Sequence, residues 1–276
     1  MTGDERAREA ATVRATRMLL GDLRALSGAR AARHIAELAL FQVGLADHYA
    51  VTDTPLGCVY FAWSLEGLTL AMRAPDDETF ERKARGTLGR AATPGEPPAR
   101  LAHGVQAWVA GEHGDTLRFD LRQLTPFERD VLRKTREIPR GEVRPYGWIA
   151  REIGRPRAVR AVGTALAHNP IPIFIPCHRV VRTDGHIGAY SMGGREAKRV
   201  MLTAEGVDVT TLEALASSGV RYVGSESGRS YCYPTCRHAA RIGTTHRVTF
   251  RDEAQAHAAG YRPCNVCRPP AARLAS

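Results

Sequence analysis

The chain has 276 residues, of which 43% are hydrophobic and 25% charged, and its formal net charge is +10. This balance is typical of a globular protein, which excludes a mostly disordered or collagen-like chain, and the length favours about two domains. No apolar run approaches the ~20 residues that cross a bilayer, and the N-terminus is too charged for a secretory signal. We therefore expect a cytoplasmic protein that does not contact a membrane.

The positive charge is concentrated in the C-terminal half of the chain. Residues 1–122 carry a net charge of −1, whereas residues 123–207 carry +7 and residues 217–276 carry +6. Only three of the 39 basic residues are Lys. A GC-rich genome explains that preference for Arg, but it does not explain the segregation of charge. Clustered positive charge is typical of proteins that bind a polyanion, so we expect a nucleic acid partner.

The first 48 residues predict a helical N-terminal extension. Apolar residues recur at helical spacing on both sides of a Ser-Gly break, namely Val13, Leu19, Leu20, Leu23, Leu26, Ile35, Leu38 and Leu45. The extension carries no residues with obvious chemistry. A helical cap and a partner-binding hairpin are both compatible with this pattern.

Residues 49–120 predict a small α/β domain. The apolar runs TPLGCVYFAWS and LTLAMR, separated by LEG, predict a β-hairpin. Helices are expected over 76–88 and 101–109, and a short strand over 116–119. Cys58, within the first apolar run, is expected to be a small buried hydrophobic residue.

Residues 121–210 predict a mainly α-helical domain. Thr125 and Pro126 are typical of the N-cap and first position of a helix. Two further short helices, over 146–153 and 157–167, are separated by a Gly-Arg-Pro break, which indicates a helix-turn-helix. The last of them consists mostly of small residues, which suits either close approach to a nucleic acid backbone or packing in a core.

The segment NPIPIFIPCHRVV, residues 169–181, contains a candidate nucleophile. Its three prolines exclude a helix and predict an extended strand with one buried side. Cys177 at its end is followed by His178 and Arg179, whose positive charge can lower the pKa of a thiol and make it reactive. Neighbours on a strand point to opposite faces, so Cys177 and His178 would communicate through a bent backbone or a water. A structural thiol is the alternative.

These residues resemble the O6-alkylguanine-DNA alkyltransferase family. The similarity lies in IPCHRVV, in RAVGTALAHNPIP before it and in DGHIGAYSMGGREAKRVMLTAEG after it, and it covers roughly residues 50–207. It implies a ribonuclease-H-like α/β domain followed by a winged-helix-like helix-turn-helix domain. The implied activity is DNA repair by a methylated-DNA–protein-cysteine S-methyltransferase. Each molecule would act once, irreversibly, as a monomer on double-stranded DNA, without a cofactor for the transfer.

The resemblance also implies the catalytic residues. Cys177 would accept the alkyl group, because a thiolate is the best soft nucleophile among side chains. His178 would take the thiol proton through a water, and Glu205 would orient His178, as in a catalytic triad. Tyr146 would donate to guanine N3, and Asn169 would hold the turn before the prolines.

Contacts to DNA follow from the same resemblance. The guanine would be flipped out of the stack, because its O6 atom is otherwise unreachable. Arg160 would fill the gap, and the small residues of its helix would permit approach to the minor groove. The remaining DNA-binding and pocket residues implied are Arg157, Ala161, Gly163, Tyr190, Ser191 and Val180. The chain departs from the family pattern by one extra residue near Met192 and by Pro145 before Tyr146.

Four cysteines predict a metal site near the C-terminus. Cys232 and Cys236, with Cys264 and Cys267, have the paired spacing of a four-thiolate zinc site. The nearby His238, His246 and His257 are expected to lie on the surface. Residues 218–270 also resemble the zinc domain of the adaptive-response protein Ada, in YCYPTC and AHAAGYRPCNVC.

The second resemblance implies a small α+β module with a structural zinc ion. Cys232 matches the cysteine of Ada that accepts a methyl group from a DNA phosphotriester, but a purely structural finger is an open alternative. Two other functions also stay open. One is a lesion sensor in which Cys177 is unreactive, and the other is a switch in which methylation of Cys232 raises the affinity for DNA.

Overall fold

The N-terminal half of the protein is built on a four-stranded sheet. The computed structural model describes residues 29–112 and 116–272, so the apolar positions predicted between 13 and 26 lie outside it. The strands, in the spatial order β3-β2-β1-β4, are β1 (Ala46–Thr54), β2 (Gly57–Ser64), β3 (Gly67–Met72) and β4 (Ala91–Pro94). Strand β1 pairs antiparallel with β2 and parallel with β4. Along the chain, helix α1 (Ala29–Gln42) precedes β1, helix α2 (Asp77–Leu88) lies between β3 and β4, and helix α3 (Ala99–Ala110) follows β4.

The predicted hairpin is confirmed as the β2–β3 pair, but three details of this half differ from expectation. Strand β1 begins inside the stretch predicted to be helical, because helix α1 ends at Gln42. The strand expected over 116–119 is reduced to a single bridge between Leu68 and Phe119. Cys58 is exposed, and its thiol donates to Asp53 at 3.1 Å, because it lies next to the turn where β2 is not yet covered.

The second part of the chain is mainly helical. Its helices are α4 (Pro126–Arg136), α5 (Tyr146–Glu152), α6 (Val159–Ala167), α7 (Gly194–Ala204) and α8 (Val209–Ser217). Thr125 caps α4 as predicted, and a reciprocal capping box with Glu128 fixes its start. Two short strands, β5 (Arg144–Pro145) and β6 (Val180–Val181), pair in parallel. They hold the start of α5 beside the segment that follows Cys177.

The proline-rich segment before Cys177 is not the predicted strand. Residues 168–176 form successive turns, and Cys177–Arg179 is a short 3-10 helix. Prolines cannot donate to a strand ladder, so the backbone turns and finds other partners. Ile173 adopts a left-handed φ of 75°, which is strained for a β-branched residue. Both sides of the segment are buried, rather than the single side expected from alternation.

The C-terminal segment folds around a second four-stranded sheet. The strands, in the order β10-β8-β7-β9, are β7 (Tyr222–Ser225), β8 (Ser230–Cys232), β9 (Arg247–Phe250) and β10 (Arg262–Pro263). Short helices α9 (Arg237–Ala240) and α10 (Glu253–Ala258) connect them. Its described core contains five buried aromatic residues, Tyr222, Tyr231, Tyr233, Phe250 and Tyr261. Within the described ranges, no helix has the length and apolar character that a membrane crossing requires.

Candidate active site and metal centre

Cys177 lies in a buried turn that is held by one asparagine. The cysteine is 7% exposed, and its sulfur accepts a hydrogen bond from Asn169 Nδ2 at 3.2 Å. The same amide donates to the carbonyl of Ile175 at 3.0 Å, and its oxygen accepts from the backbone of Ile171 at 3.1 Å. Asn169 therefore closes the turn and orients the thiol at the same time.

A buried His–Glu pair follows directly after the cysteine. His178 is fully buried, and its Nε2 lies 2.9 Å from Oε1 of Glu205. Arg179 also binds this carboxylate, donating from Nε at 2.8 Å and from Nη2 at 2.7 Å. The structure thus brings Glu205 to His178 as predicted, and it adds Arg179 as the second partner of the carboxylate.

Burial sets the protonation of this cluster. Burial lowers the pKa of His178 and outweighs the opposing effect of Glu205, so the imidazole is neutral near pH 7. Burial by itself would raise the pKa of Glu205, but hydrogen bonds from His178 and Arg179 hold it at about 2. A neutral His178 that donates from Nε2 to this carboxylate keeps its lone pair on Nδ1. That atom is buried and has no hydrogen-bond partner in the described part of the chain.

The thiol itself is protonated in the resting protein. Burial raises the pKa of Cys177, and the hydrogen bond from Asn169 and the charge of Lys198 only partly offset this effect. The pKa is therefore raised rather than lowered as expected, and His178 opposes the rise only through its backbone hydrogen bond. The physical reason is that His178 is neutral and the guanidinium of Arg179 is bound to Glu205.

Lys198 is a functional candidate that the sequence analysis missed. It is 1% exposed, and its ammonium donates to the carbonyls of Val180 at 2.5 Å and Ala189 at 3.3 Å. Burial lowers its pKa to about 8, and a thiolate at Cys177 would act in the opposite direction. Its position on the buried face of α7, three residues before Met201, is the signal that could have identified it.

The predicted pocket residues differ in their burial and in their contacts. Tyr146 is the first residue of α5, and burial raises the pKa of its hydroxyl. The ring of Tyr190 packs edge-on against that of His178 with 5.8 Å between centroids, whereas Ser191 is exposed. The extra residue of the motif, Met192, is buried. The carbonyls of Cys177 and Val180 each already accept one hydrogen bond, from the Val180 amide and from Lys198 respectively.

Helix α6 presents Arg160 and some of its small residues to solvent. It begins at Val159, so Arg157 precedes it rather than opening it. Arg157, Arg160 and Ala161 are exposed, and a methyl group added at Gly163 would meet open space. The opposite face of the helix is buried through Val162, Ala165 and Leu166.

The four C-terminal cysteines converge on one point. All four are buried, and their Sγ atoms lie within 4.8 Å of one another. A tetrahedral zinc ion with bonds of about 2.3 Å places its sulfur ligands about 3.8 Å apart, so this donor set fits zinc. The three nearby histidines are exposed, as predicted. His238 lies at the edge of the cluster, with Nδ1 3.8 Å from the sulfur of Cys264.

Comparisons with known proteins match the two parts of the chain in which these sites lie. The model for the DNA-binding domain of 6-O-methylguanine DNA methyltransferase matches residues 126–207, and the model for the metal-binding domain of Ada matches residues 213–270. A methylated-DNA–protein-cysteine methyltransferase of Mycolicibacterium paratuberculosis is 38% identical over 168 residues, covering 57% of this chain and 91% of the relative. A methylated-DNA–protein-cysteine methyltransferase of Rattus norvegicus is 35% identical over 189 residues, which cover 64% of this chain and 89% of that relative.

A solved structure is also similar. The crystal structure of Mycobacterium tuberculosis OGT in complex with DNA is 35% identical, covers 60% of this chain and 99% of that chain, and has a TM-score of 0.47. The sequence matches and the cysteine site define a DNA-repair methyltransferase that carries an additional zinc-binding domain. The chain belongs to the methylated-DNA–protein-cysteine methyltransferase family.

Proposed function

We propose that the protein repairs double-stranded DNA by transferring the alkyl group from O6 of guanine to Cys177, once per molecule. The observation that carries this proposal is the thiol held by Asn169 directly before the buried His178–Glu205 pair. A thiol with a raised pKa needs a base, and His178 provides one through the lone pair on its Nδ1. The neutral pair avoids the cost of burying a preformed ion pair before substrate binds.

The transfer balances without a cofactor. The thiol proton passes through a bridging water to Nδ1 of His178, and Glu205 stabilises the resulting imidazolium. The sulfur forms a bond to the alkyl carbon while the bond from that carbon to O6 breaks. Tyr146 gives its proton to guanine N3, and the proton on His178 then returns to the tyrosine oxygen through solvent. The product is a thioether, which has no route back to a thiol.

Recognition of DNA completes the proposal. Helix α6 lies in the minor groove, where the exposed Ala161 and the half-buried Gly163, beside which there is open space, permit close approach. Arg160 replaces the flipped nucleotide, whose extrusion costs a few kcal/mol. Tyr190 and Ser191 form the rim of the guanine pocket, and the carbonyls of Cys177 and Val180 accept the guanine amino group.

We assign the finer architecture in the same way. Residues 1–48 are an extension, 49–120 a ribonuclease-H-like domain, 121–210 a winged-helix-like domain and 218–270 the zinc module. The protein acts as a cytoplasmic monomer. The mixed sheet of β1 to β4 and the packed helices α4 to α6 support this division.

Mass spectrometry tests the transfer. After incubation with a duplex containing one O6-methylguanine, the Cys177 peptide should gain about 14 Da, one methyl group in place of the thiol hydrogen. Cys177→Ala should bind this duplex without gaining mass, and the exposed Cys58 provides the control through Cys58→Ala, which should still react. Binding without any mass gain in the unmodified protein would contradict the proposal and favour a lesion sensor.

The zinc module supports a second candidate function. When bound, zinc would keep its cysteine ligands as thiolates and stabilise the module, which is its structural role. Among the four cysteines, Cys232 is the one that lines a cavity of about 420 Å³, together with polar residues that include Ser230, His238 and Arg241. This cavity suits an uncharged phosphotriester that approaches Cys232, and methylation there would remove one negative charge and raise the affinity for DNA.

A separate substrate tests this second function. A duplex with one methylphosphotriester and no modified base should add about 14 Da to the Cys232 peptide if that cysteine accepts methyl. An unmodified Cys232 peptide, in protein whose Cys177 still reacts with O6-methylguanine, would leave the zinc module with a structural role alone.

A further inference from the structure

The zinc module, residues 218–270, is attached to the segment that leads into Tyr146. The hydroxyl of Thr235 accepts a hydrogen bond from the backbone of Val143 at 2.8 Å. The backbone of Arg237 donates to Glu142 at 3.1 Å, and the same buried carboxylate pairs with the guanidinium of Arg144. Thr235 and Arg237 flank the metal ligand Cys236, so the cluster is tied directly to the start of β5.

A second set of contacts joins the module to helix α5. Arg268, next to the ligand Cys267, pairs with Glu152 at 2.8 Å and lies 5.6 Å from the centre of the Trp148 ring. Arg151 donates to the backbone carbonyl of Arg268 at 2.5 Å. Contacts at both metal-binding turns fix the module against the helix that begins with Tyr146.

This attachment creates a groove with walls from both parts of the protein. The groove has a volume of about 520 Å³ and is lined by Tyr146, Arg182, Thr183, Asp184 and Arg221. Residues 182–184 follow β6, a few residues after Cys177. Arg221 directly precedes β7 of the zinc module. The tyrosine proposed to contact guanine therefore lies beside a cation that the zinc module contributes.

The two arginines that line the groove differ in whether a carboxylate already neutralises them. Arg182 is paired with Asp184 at 2.6 Å, so these two side chains largely neutralise each other. Arg221 has no carboxylate partner among the described residues. Its Nη2 donates a hydrogen bond to the Tyr222 hydroxyl at 3.5 Å, and its guanidinium lies 5.5 Å from the centre of that ring. The Tyr222 hydroxyl in turn donates to Glu253 at 3.3 Å. The backbone of Arg221 is fixed by a bond to the carbonyl of Phe250 at 2.9 Å. A guanidinium whose charge is not neutralised by a described carboxylate, on a fixed backbone, suits a phosphate ligand.

We propose that Arg221 binds a backbone phosphate of the DNA beside the flipped nucleotide. The zinc module then forms the second wall of the DNA-binding groove, and the recognition surface extends beyond α6. This inference rests on the proposed function, because the position of Tyr146 at the flipped guanine places the neighbouring phosphate in this groove.

The salt dependence of binding tests the contact. Full-length, zinc-loaded protein with Cys177→Ala, which cannot react, is titrated with a duplex containing O6-methylguanine at several salt concentrations. Each phosphate contact contributes about 0.9 to the slope of log K against log salt concentration, so Arg221→Gln should lower the slope by about 0.9. Arg221→Lys keeps the charge and should retain the original slope. Arg85→Gln, on the exposed face of α2, is the matched control and should also retain it.

Two results would overturn the inference. One is an unchanged slope in Arg221→Gln protein that still holds zinc, and the other is an equal loss of slope in Arg221→Lys, which would point to packing on Tyr222 instead of charge. Methyl uptake by the protein with Cys177 intact is measured in parallel. If no methyl is taken up, the proposed function fails, whereas an unchanged slope with normal uptake rejects only the contact of Arg221.

Discussion

The reacting end of the site holds two neutral groups rather than a preformed thiolate–imidazolium pair. Burial raises the pKa of Cys177 and lowers that of His178, and each effect disfavours the charged form. The ammonium of Lys198 acts in the opposite direction on the thiol. The site is therefore arranged to stabilise a thiolate when the proton leaves, while avoiding the cost of an ion pair in the free protein.

Glu205 gives a prediction for the pH dependence of stability. Its pKa is about 2 in the folded protein, against an ordinary value of 4.5. A lowered carboxyl pKa contributes stability that is fully present above about pH 4.5 and is lost as the pH falls towards 2. Glu205→Gln removes this contribution and leaves the guanidinium of Arg179 buried without its carboxylate. The free energy of unfolding should fall by about 3 kcal/mol at pH 7.

Denaturant titrations between pH 2 and 7 measure this difference. The difference in the free energy of unfolding between the unmodified protein and Glu205→Gln should narrow as the pH drops below about 4.5. Glu137→Gln, which removes a partly exposed ion pair with Lys134, should cost less than about 1 kcal/mol at pH 7. A gap for Glu205→Gln that stays constant over the whole pH range would show that its pKa is not shifted.

The sequence was sufficient to propose which residues belong to the site, but it did not reveal how they interact. Cys177, His178 and Asn169 stand in one short motif, so a local pattern was sufficient to single them out. The pairing of Arg179 with Glu205 joins positions 26 residues apart, and the burial of Lys198 depends on how α7 packs. The pKa of the thiol depends on burial, which neighbouring residues in the sequence do not reveal.

At the scale of the elements, helix α6 packs one face into the core and exposes the other, which we propose contacts DNA. Its apolar residues are buried, while its exposed face carries side chains that are small apart from Arg160. Such a face contributes little to the core, so we attribute its small residues to the approach of DNA. Gly163 is the clearest case because the space around it is open.

Substitutions at Gly163 should separate stability from DNA binding. Gly163→Ala should leave the fold intact and add up to about 1 kcal/mol of stability, because Ala favours a helix over Gly. Gly163→Leu should also fold, but it should weaken binding to duplex DNA by holding the helix away from the groove. The rate of methyl transfer from duplex DNA should fall much more than the rate with free O6-benzylguanine. Equal losses with both substrates would place the effect in the active site instead.

The elements with strong local signals were predictable. The capping box of α4 and the hairpin of β2 and β3 followed from residues adjacent in the sequence. The segment before Cys177 was not, because its conformation depends on Asn169 closing the turn and on Trp108, which donates to the carbonyl of Ile173 at 3.1 Å. These contacts also hold Ile173 in its strained conformation, which the pattern of alternating prolines did not indicate.

At the scale of the whole molecule, the metal cluster and the active site share one framework. The hydrogen bond from Val143 to Thr235 links positions 92 residues apart, so the placement of the zinc module could not be read from the sequence. The cysteine spacing predicted the cluster itself, because paired thiolates are recognisable locally. The same link predicts that the repair domain depends on the zinc ion proposed for the cluster.

Removal of zinc should therefore loosen residues outside the zinc module. After chelation, amide hydrogen exchange should increase at Val143 and along α5, because their partners next to Cys236 and Cys267 are no longer held. Exchange in helix α2, which lies in the N-terminal domain, should not change. Faster exchange confined to residues 218–270 would show that the two parts are independent.

The scarcity of lysine offers a route to covalent attachment at one defined position. Of the three lysines in the chain, Lys198 is enclosed in the core, and Lys134 is paired with Glu137 at 2.8 Å and largely covered. Lys83 is exposed on helix α2, away from both cysteine sites in the chain. An amine-reactive dye or surface linker should thus modify Lys83 first among the lysine side chains, which would allow immobilised or single-molecule measurements of repair.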